Sequence, residues 1–544
     1  MHASSPAPEW RETCLRLWTA VPRAWRVAFF AALAVNAAVF FYDLAQFPLG
    51  DHDVGYQEGI HLLSGGRAGR WFTPFLHLLS GHVQIPVWTQ LLAFACQIAA
   101  AMGAVLLWRP GAGAWPLFAC AVAVSCMPWV TDFWYYHWMA LAFPASQLFM
   151  VLALHLSLSA KAPRLPRRLC AIVLVVCALA TYQSSIMTWS ACFWGFVLVR
   201  LAHWDGSRAG LAALARELVP PLLCLAAGCA LYALSLALYP LVGLSLGLYQ
   251  FSTVTPGALP LRLLQLAHMS WAQLFTPAGF VTPWLTGLLG SVAAGGAFAL
   301  LEQGAESQQG RMGRLGLCAL GLALFPPAAE AQFLVSASES WQLFRFLGMG
   351  MSYLYAFFLL ALLVAGRRWL RNLGFALFVL VLPCMAVNDL DQQVRHVRSV
   401  AHDQAVLNRI LARIETLPGY DAEKTYNLVQ LGRSVPYLAD SPGTEPLRRA
   451  TVSQAWNPGF ELRMLSKYLK LGDRLNEEVR TRPDLMEKAL AWARGRKPFP
   501  AGESIGLVDG DTIVLLLDSR AIGLAEARLK ELRGAHPSPA KTPQ

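Results

Sequence analysis

Charge is scarce in this chain. Only 14% of its 544 residues are Asp, Glu, Lys or Arg, while 56% are hydrophobic. A soluble domain carries about 25% charge, so the deficit argues against an ordinary soluble globular protein. The eleven cysteines form no CxxC pair and no zinc-type spacing. All but Cys14 lie in or beside apolar runs, where they read as small hydrophobes. No repeat of 20–50 residues appears. A cleavable leader is also missing: the first apolar run starts near Trp25 without a small-residue cleavage site, and reads as a retained transmembrane helix. Acidic residues are fewer than basic ones, 33 against 44, for a net charge of +11. The excess is mostly arginine in loops between apolar runs, which is how membrane topology is encoded. It does not indicate a nucleic-acid partner.

What the chain has in quantity is long apolar runs. They recur from about Trp25 to Met385. About 20 apolar residues cross the hydrocarbon core as a helix, and lipid tolerates no unpaired backbone. The fold expected is a polytopic α-helical membrane protein of about eleven spans, near residues 25–45, 85–107, 114–130, 139–159, 169–187, 188–202, 218–240, 279–301, 315–329, 346–365 and 370–387. Three parts follow: a cytoplasmic segment 1–24, a membrane part 25–387 and a soluble domain 388–544. With the N-terminus inside, inner segments hold seventeen basic residues and outer ones four, Arg67, Arg70, Arg262 and Arg345. Positive residues stay inside, so an odd number of spans puts the C-terminal domain outside. In that domain 389–416 is helical in pattern. Residues 425–431 and 512–517 read as strands, the latter after the turn Asp509-Gly510-Asp511, and 484–494 as a helix. It is a small α/β domain with no evident catalytic constellation.

Polar residues with chemical potential gather on the outer side. The first outer loop, 46–84, carries Asp51-His52-Asp53, then Glu58, then Gly69-Arg70-Trp71. Paired acids beside a membrane can deprotonate a hydroxyl or hold a divalent cation; they can equally be a solvated loop or a helix cap. Arg70 suits a phosphate gripped in bidentate fashion, or an ion pair with Glu58 or Asp53. Asp132 opens an aromatic cluster, Phe133 to Trp138, with His137 inside it; interfacial belt and sugar platform are both open readings. Tyr182-Gln183 interrupts an apolar stretch, as helix glue or as cavity lining. Arg345 either snorkels or meets a phosphate headgroup.

Asp51 and Asp53 after a first helix, followed by Gly69-Arg70-Trp71, resemble the serotype-converting glucosyl transferase II family. Tyr182-Gln183 late in a span and the transition from Asn388-Asp389 to Arg409 are similar to the family as well. His52 separates the two acids here, where the family has them adjacent. The resemblance implies a GT-C type membrane glycosyltransferase of the bacterial inner membrane, taking a sugar from a polyprenyl-phosphate donor. Its acceptor would be a surface glycan such as O-antigen. Asp51 and Asp53 would then be catalytic, with a divalent cation (Mg or Mn) as their alternative ligand. Glu58, Arg70, Trp71, Asp132, His137, Tyr182, Gln183 and Arg345 would bind substrate. Implied partners are the lipid-linked donor, the glycan acceptor, membrane lipid, a flippase and a donor-synthesising enzyme. The rival functions are a lipid or polysaccharide flippase, and a polysaccharide polymerase or ligase.

Overall fold

The computed structural model describes residues 19–46, 69–80, 87–134, 136–158, 164–242, 257, 259–275, 281–305, 311–334, 344–424, 426–432 and 483–535. They divide into two compact units, the first ending at Gln393 and the second beginning at Val394.

In the first unit the apolar runs become helices. In chain order these are α1 (Arg23–Val39), α2 (Phe41–Gln46), α3 (Thr73–His77), α4 (Trp88–Trp108), α5 (Ala114–Ser125), α6 (Thr131–Trp134), α7 (Ala142–Leu158) and α8 (Arg164–Thr181). There follow α9 (Ile186–Ala202), α10 (Arg208–Ala237), α11 (Leu259–Phe275), α12 (Pro283–Ala305), α13 (Arg311–Ala329), α14 (Phe344–Leu363) and α15 (Arg368–Glu415). A helix lies over each of the eleven segments read from the sequence. Among the described residues, six stretches are long and apolar enough to cross a membrane: Trp88–Trp108, Gln183–Ala202, Arg208–Leu241, Pro283–Gly304, Arg311–Ala329 and Arg368–Glu415. Ala114–Ser125, Ala142–Leu158 and Gly348–Leu363 are apolar but shorter.

Buried polar side chains pin these helices together. Gln97 and Gln147 exchange amide hydrogen bonds between α4 and α7, at 3.3 and 3.0 Å. Asn36 in α1 donates to Ser125 Oγ in α5 at 2.7 Å. In an apolar medium such bonds contribute about 0.6–2 kcal/mol each. Gly350 in α14 is required by closeness, since a Cβ there would run into the Ala329 carbonyl at the end of α13.

Three features depart from the sequence reading. First, the opening span is not one rod. It breaks at Phe40, and the side-chain amide of Gln393 enters the break, donating to Val39 O at 2.9 Å and accepting from Asp43 N at 3.0 Å. Those two backbone groups would otherwise bond to each other along the helix, so the inserted amide is the cause of the break. Second, the stretch between the spans expected at 218–240 and 279–301 contains α11. Leu266, Ser270 and Leu274 recur at helical spacing and form its buried stripe. Trp271 Nε1 donates to Ala323 O at 3.1 Å, a carbonyl that Pro327 inside α13 deprives of its helical donor. Third, no helix break marks the compositional boundary near residue 388; α15 continues from the last apolar run to Glu415.

The second unit is built on a three-stranded sheet of order β1-β3-β2, from β1 (Asn427–Leu431), β2 (Ile505–Val508) and β3 (Thr512–Leu516). β1 runs parallel to β3 and β2 antiparallel to it. Three residues, Asp509 to Asp511, connect β2 to β3, with Val508 paired to Thr512. Asp509 and Gly510 both have positive φ, 51° and 70°, at the centre of a turn that Asp511 N closes on Val508 O at 3.3 Å. β3 is apolar on both faces. Ile513 and Leu515 join Leu407, Ile410 and Ile414 of α15 in one core. Val514 and Leu516 join Leu485, Ala489 and Ala493 of α16 (Pro483–Ala493), with Ile522 and Ala525 of α17 (Arg520–Ala535) packed against them. The strands and helix expected at 425–431, 512–517 and 484–494 are present; β2 and α17 are additions.

Candidate functional site

Arg70 and Trp71 leave a backbone that is fastened on both sides. Gly69, just before them, has φ of +74°, a conformation glycine adopts without strain. Just after them, Phe72 N donates to Ala180 O at 3.0 Å and Thr73 Oγ1 to Thr181 O at 3.1 Å. Both acceptors are in the last turn of α8, so the loop residues close onto the end of that helix. The chain then turns at Tyr182, in extended conformation, and passes a short 3-10 turn, Gln183–Ser185, into α9. The junction therefore falls at 182–185, a few residues before the boundary at 187 read from the sequence.

This turn brings the expected residues together. The Arg70 guanidinium lies over the Tyr182 ring, 4.7 Å from its centroid. Tyr182 is itself buried and packs edge-on against Phe143 at 4.7 Å. Gln183 Nε2 donates to Tyr232 Oη at 2.7 Å. Trp71 Nε1 donates to Ser235 Oγ at 3.1 Å. Arg70 is half-buried, and its Nε is enclosed with no hydrogen-bond partner among the described residues. A cation fixed on an aromatic face with unspent donors suits an incoming anion.

His137 belongs to a second cluster. It is 2% exposed, and its Nε2 stands 3.8 Å from Asp43 Oδ2. Gln90 Nε2 donates to the same oxygen at 3.1 Å. Asp43 is thus held by Gln90 at its carboxylate and by Gln393 at its backbone. One turn before Gln393 on α15, Asp389 is fully buried, and neither of its oxygens has a hydrogen-bond partner among the described residues. Carboxylates buried in a membrane protein are costly and mark function more often than packing. Among the described residues, the aromatic neighbours of His137 belong to the core: Phe133, Trp134 and Tyr136 are each at most 3% exposed. Trp134 packs against Phe40 and Phe94, and Phe133 against Phe143.

Asp51, Asp53 and Glu58 lie outside the described residues. Asp132 lies on α6 and Arg345 on the first turn of α14, with their side chains outside what is described. Among the described residues, no group of three His, Cys, Asp or Glu is placed to hold a metal ion.

The sequence reading passed over Asp43, Gln90, Tyr232, Ser235, Gln393 and Glu330. All but Gln393 sit within or at the end of an apolar run, and that placement is the available signal; Gln393 lies in the charged segment that follows the last run. Glu330 directly follows α13 and is fully buried. Ser270 Oγ of α11 donates to it at 2.8 Å. The Gln273 amide faces both of its oxygens; its nitrogen can donate to the ionised acid, or its oxygen accept from the protonated one. Burial pushes the Glu330 carboxyl up to about 8 from the usual 4.5, against a smaller downward pull from Ser270. The folded chain then holds this proton more tightly than the unfolded chain does. The resulting stability is full below about pH 4.5 and is lost as pH rises through about 8. Thermal stability in detergent is expected to fall from pH 7 to pH 9, and Glu330→Gln to flatten that slope. An unchanged slope in the variant would show that another group causes it.

A family model described as Glucosyl transferase GtrII matches residues 59–360. The matched stretch includes Arg70, Trp71, Asp132, His137, Tyr182, Gln183 and Arg345, and it begins after Asp51, Asp53 and Glu58. Searches of curated proteins and of solved structures return no match.

Proposed function

The chain belongs to the glucosyl transferase GtrII family, and from that membership we propose that it moves a single hexose, glucose in the first instance, from a polyprenyl-phosphate carrier to a surface glycan such as O-antigen. The reaction is placed on the outer side of the bacterial inner membrane, in a GT-C type enzyme. The observation that carries this reading is Arg70, seated on Tyr182 with an enclosed Nε that has no hydrogen-bond partner among the described residues. A sugar phosphate at the membrane surface is the anion it suits.

The chemistry is one displacement. An acceptor hydroxyl attacks the anomeric carbon and gives its proton to Asp51 or Asp53. The bond from that carbon to the phosphate oxygen breaks, and the polyprenyl phosphate departs with the electron pair, its charge met by Arg70. Attack opposite the leaving group inverts the anomeric centre. Asp51 and Asp53 are also the pair that would hold a divalent cation, magnesium or manganese, whose contribution would be to neutralise the same phosphate. Arg345, Glu58, Asp132 and His137 are assigned to substrate binding.

Mass spectrometry of the surface glycan, with and without the gene, tests the reading. The expected difference is one hexose per acceptor unit. A whole oligosaccharide repeat would point to a polymerase or ligase. Lipid-linked sugar crossing the membrane with no new glycosidic bond would point to a flippase.

A further inference from the structure

We infer that Tyr232, assisted by Ser235, is a positioning residue for Arg70, an inference that rests on the reading of Arg70 as the donor's phosphate contact. Both residues belong to the last turns of α10, three positions apart and so on one face of the helix. Between them they hold the residues on either side of Arg70. Tyr232 Oη donates to Gly69 O at 3.2 Å while accepting from Gln183 Nε2 at 2.7 Å. Ser235 Oγ accepts from Trp71 Nε1 at 3.1 Å and donates to Tyr232 O at 2.6 Å.

The Tyr232 hydroxyl therefore joins three segments: the turn before Arg70, the turn that carries Tyr182, and α10. Its donor and acceptor capacities are both used, and the acceptor it reaches is a carbonyl whose direction is set by the positive φ of Gly69. Arginine is a long side chain that holds a geometry only where its backbone is fixed. Downstream, the fixing comes from the end of α8, through Phe72 and Thr73. Upstream it comes from this hydroxyl. The ring of Tyr232 packs whatever the hydroxyl does, so deleting the oxygen separates positioning from packing.

The test uses the full-length protein in detergent or nanodiscs, with a short-chain polyprenyl-phosphate glucose as donor and the glycan as acceptor. Direct binding of short-chain polyprenyl phosphate, without turnover, is measured alongside. Tyr232→Phe is expected to raise the donor KM and weaken polyprenyl-phosphate binding by about tenfold, the effect of losing roughly one to two hydrogen bonds' net contribution. The acceptor KM should stay within about twofold, a split that a general loss of structure does not produce. Ser235→Ala should shift the same two quantities in the same direction by a smaller factor, and it carries the test if Tyr232→Phe does not fold. Arg70→Ala is the reference arm. If it impairs donor binding while neither α10 variant does, Tyr232 and Ser235 are packing residues and the inference is overturned. If Arg70→Ala leaves donor binding intact, the phosphate reading of Arg70 falls and takes the inference with it.

Discussion

Changing both Asp51 and Asp53 to Asn is expected to lower kcat about 1,000-fold while leaving donor binding within about threefold, the range associated with losing a general base. The two single variants identify which acid takes the proton. The one that serves as base should reproduce most of the double loss, because residues acting as a unit do not add. Titrating magnesium and manganese into the same assay separates base from cation ligand. A ligand pair should show a raised metal requirement in either single variant, whereas a base should show none. Full turnover by the double variant would remove these acids from the mechanism. The acids of the other cluster, Asp43 and Asp389, would then be the next to examine, since they are buried in the first unit at the end of the opening span and on α15.

The second large effect concerns Arg70. Arg70→Ala is expected to cost at least about 30-fold in kcat/KM for the lipid-linked donor, with polyprenyl-phosphate binding reduced by a similar factor. The basis is the cost of about 2–5 kcal/mol for truncating one member of a desolvated charge pair. Arg70→Lys should recover only part of this. An ammonium supplies a point charge but neither the planar fork nor the stacking on Tyr182. Recovery to full activity with lysine would mean that charge alone is read at this position. A loss confined to the acceptor KM would move Arg70 from the donor to the acceptor.

The helices were legible because lipid leaves the backbone little choice: an apolar run of span length has to be a helix. The turn before β3 is equally plain, since Asp509-Gly510 is a turn with a mechanism. β2 itself was not. Ile505–Val508 is four residues long with Gly506 inside, too short and too weak a strand to stand out before β3 is there to pair with it. α11 has no signal of its own, because its 17 residues, with Arg262, Gln265, His268 and Gln273 among them, fall short of an apolar span.

The site divides in the same way. Arg70, Trp71, Tyr182 and Gln183 announced themselves as polar or motif residues where apolar ones were due. Tyr232 did not, because a tyrosine late in an apolar helix is unremarked until its hydroxyl meets a carbonyl 163 residues away in the chain. Asp43 ends an apolar run, and its partners come from α4, from the turn holding His137 and from α15. Such clusters depend on contacts that only the packed bundle defines.

Gln393 has a bearing on biosynthesis. The groups it separates, Val39 and Asp43, lie 354 and 350 positions earlier in the chain. When the first helix enters the bilayer, the amide that will part it has not yet been translated. A nascent first helix can keep its ladder closed across Phe40 and stay straight. The wedge can go in only after residue 393 has joined the chain. Assembly order thus becomes a safeguard: the opening helix takes its broken shape at Phe40 only in a polypeptide already made as far as Gln393.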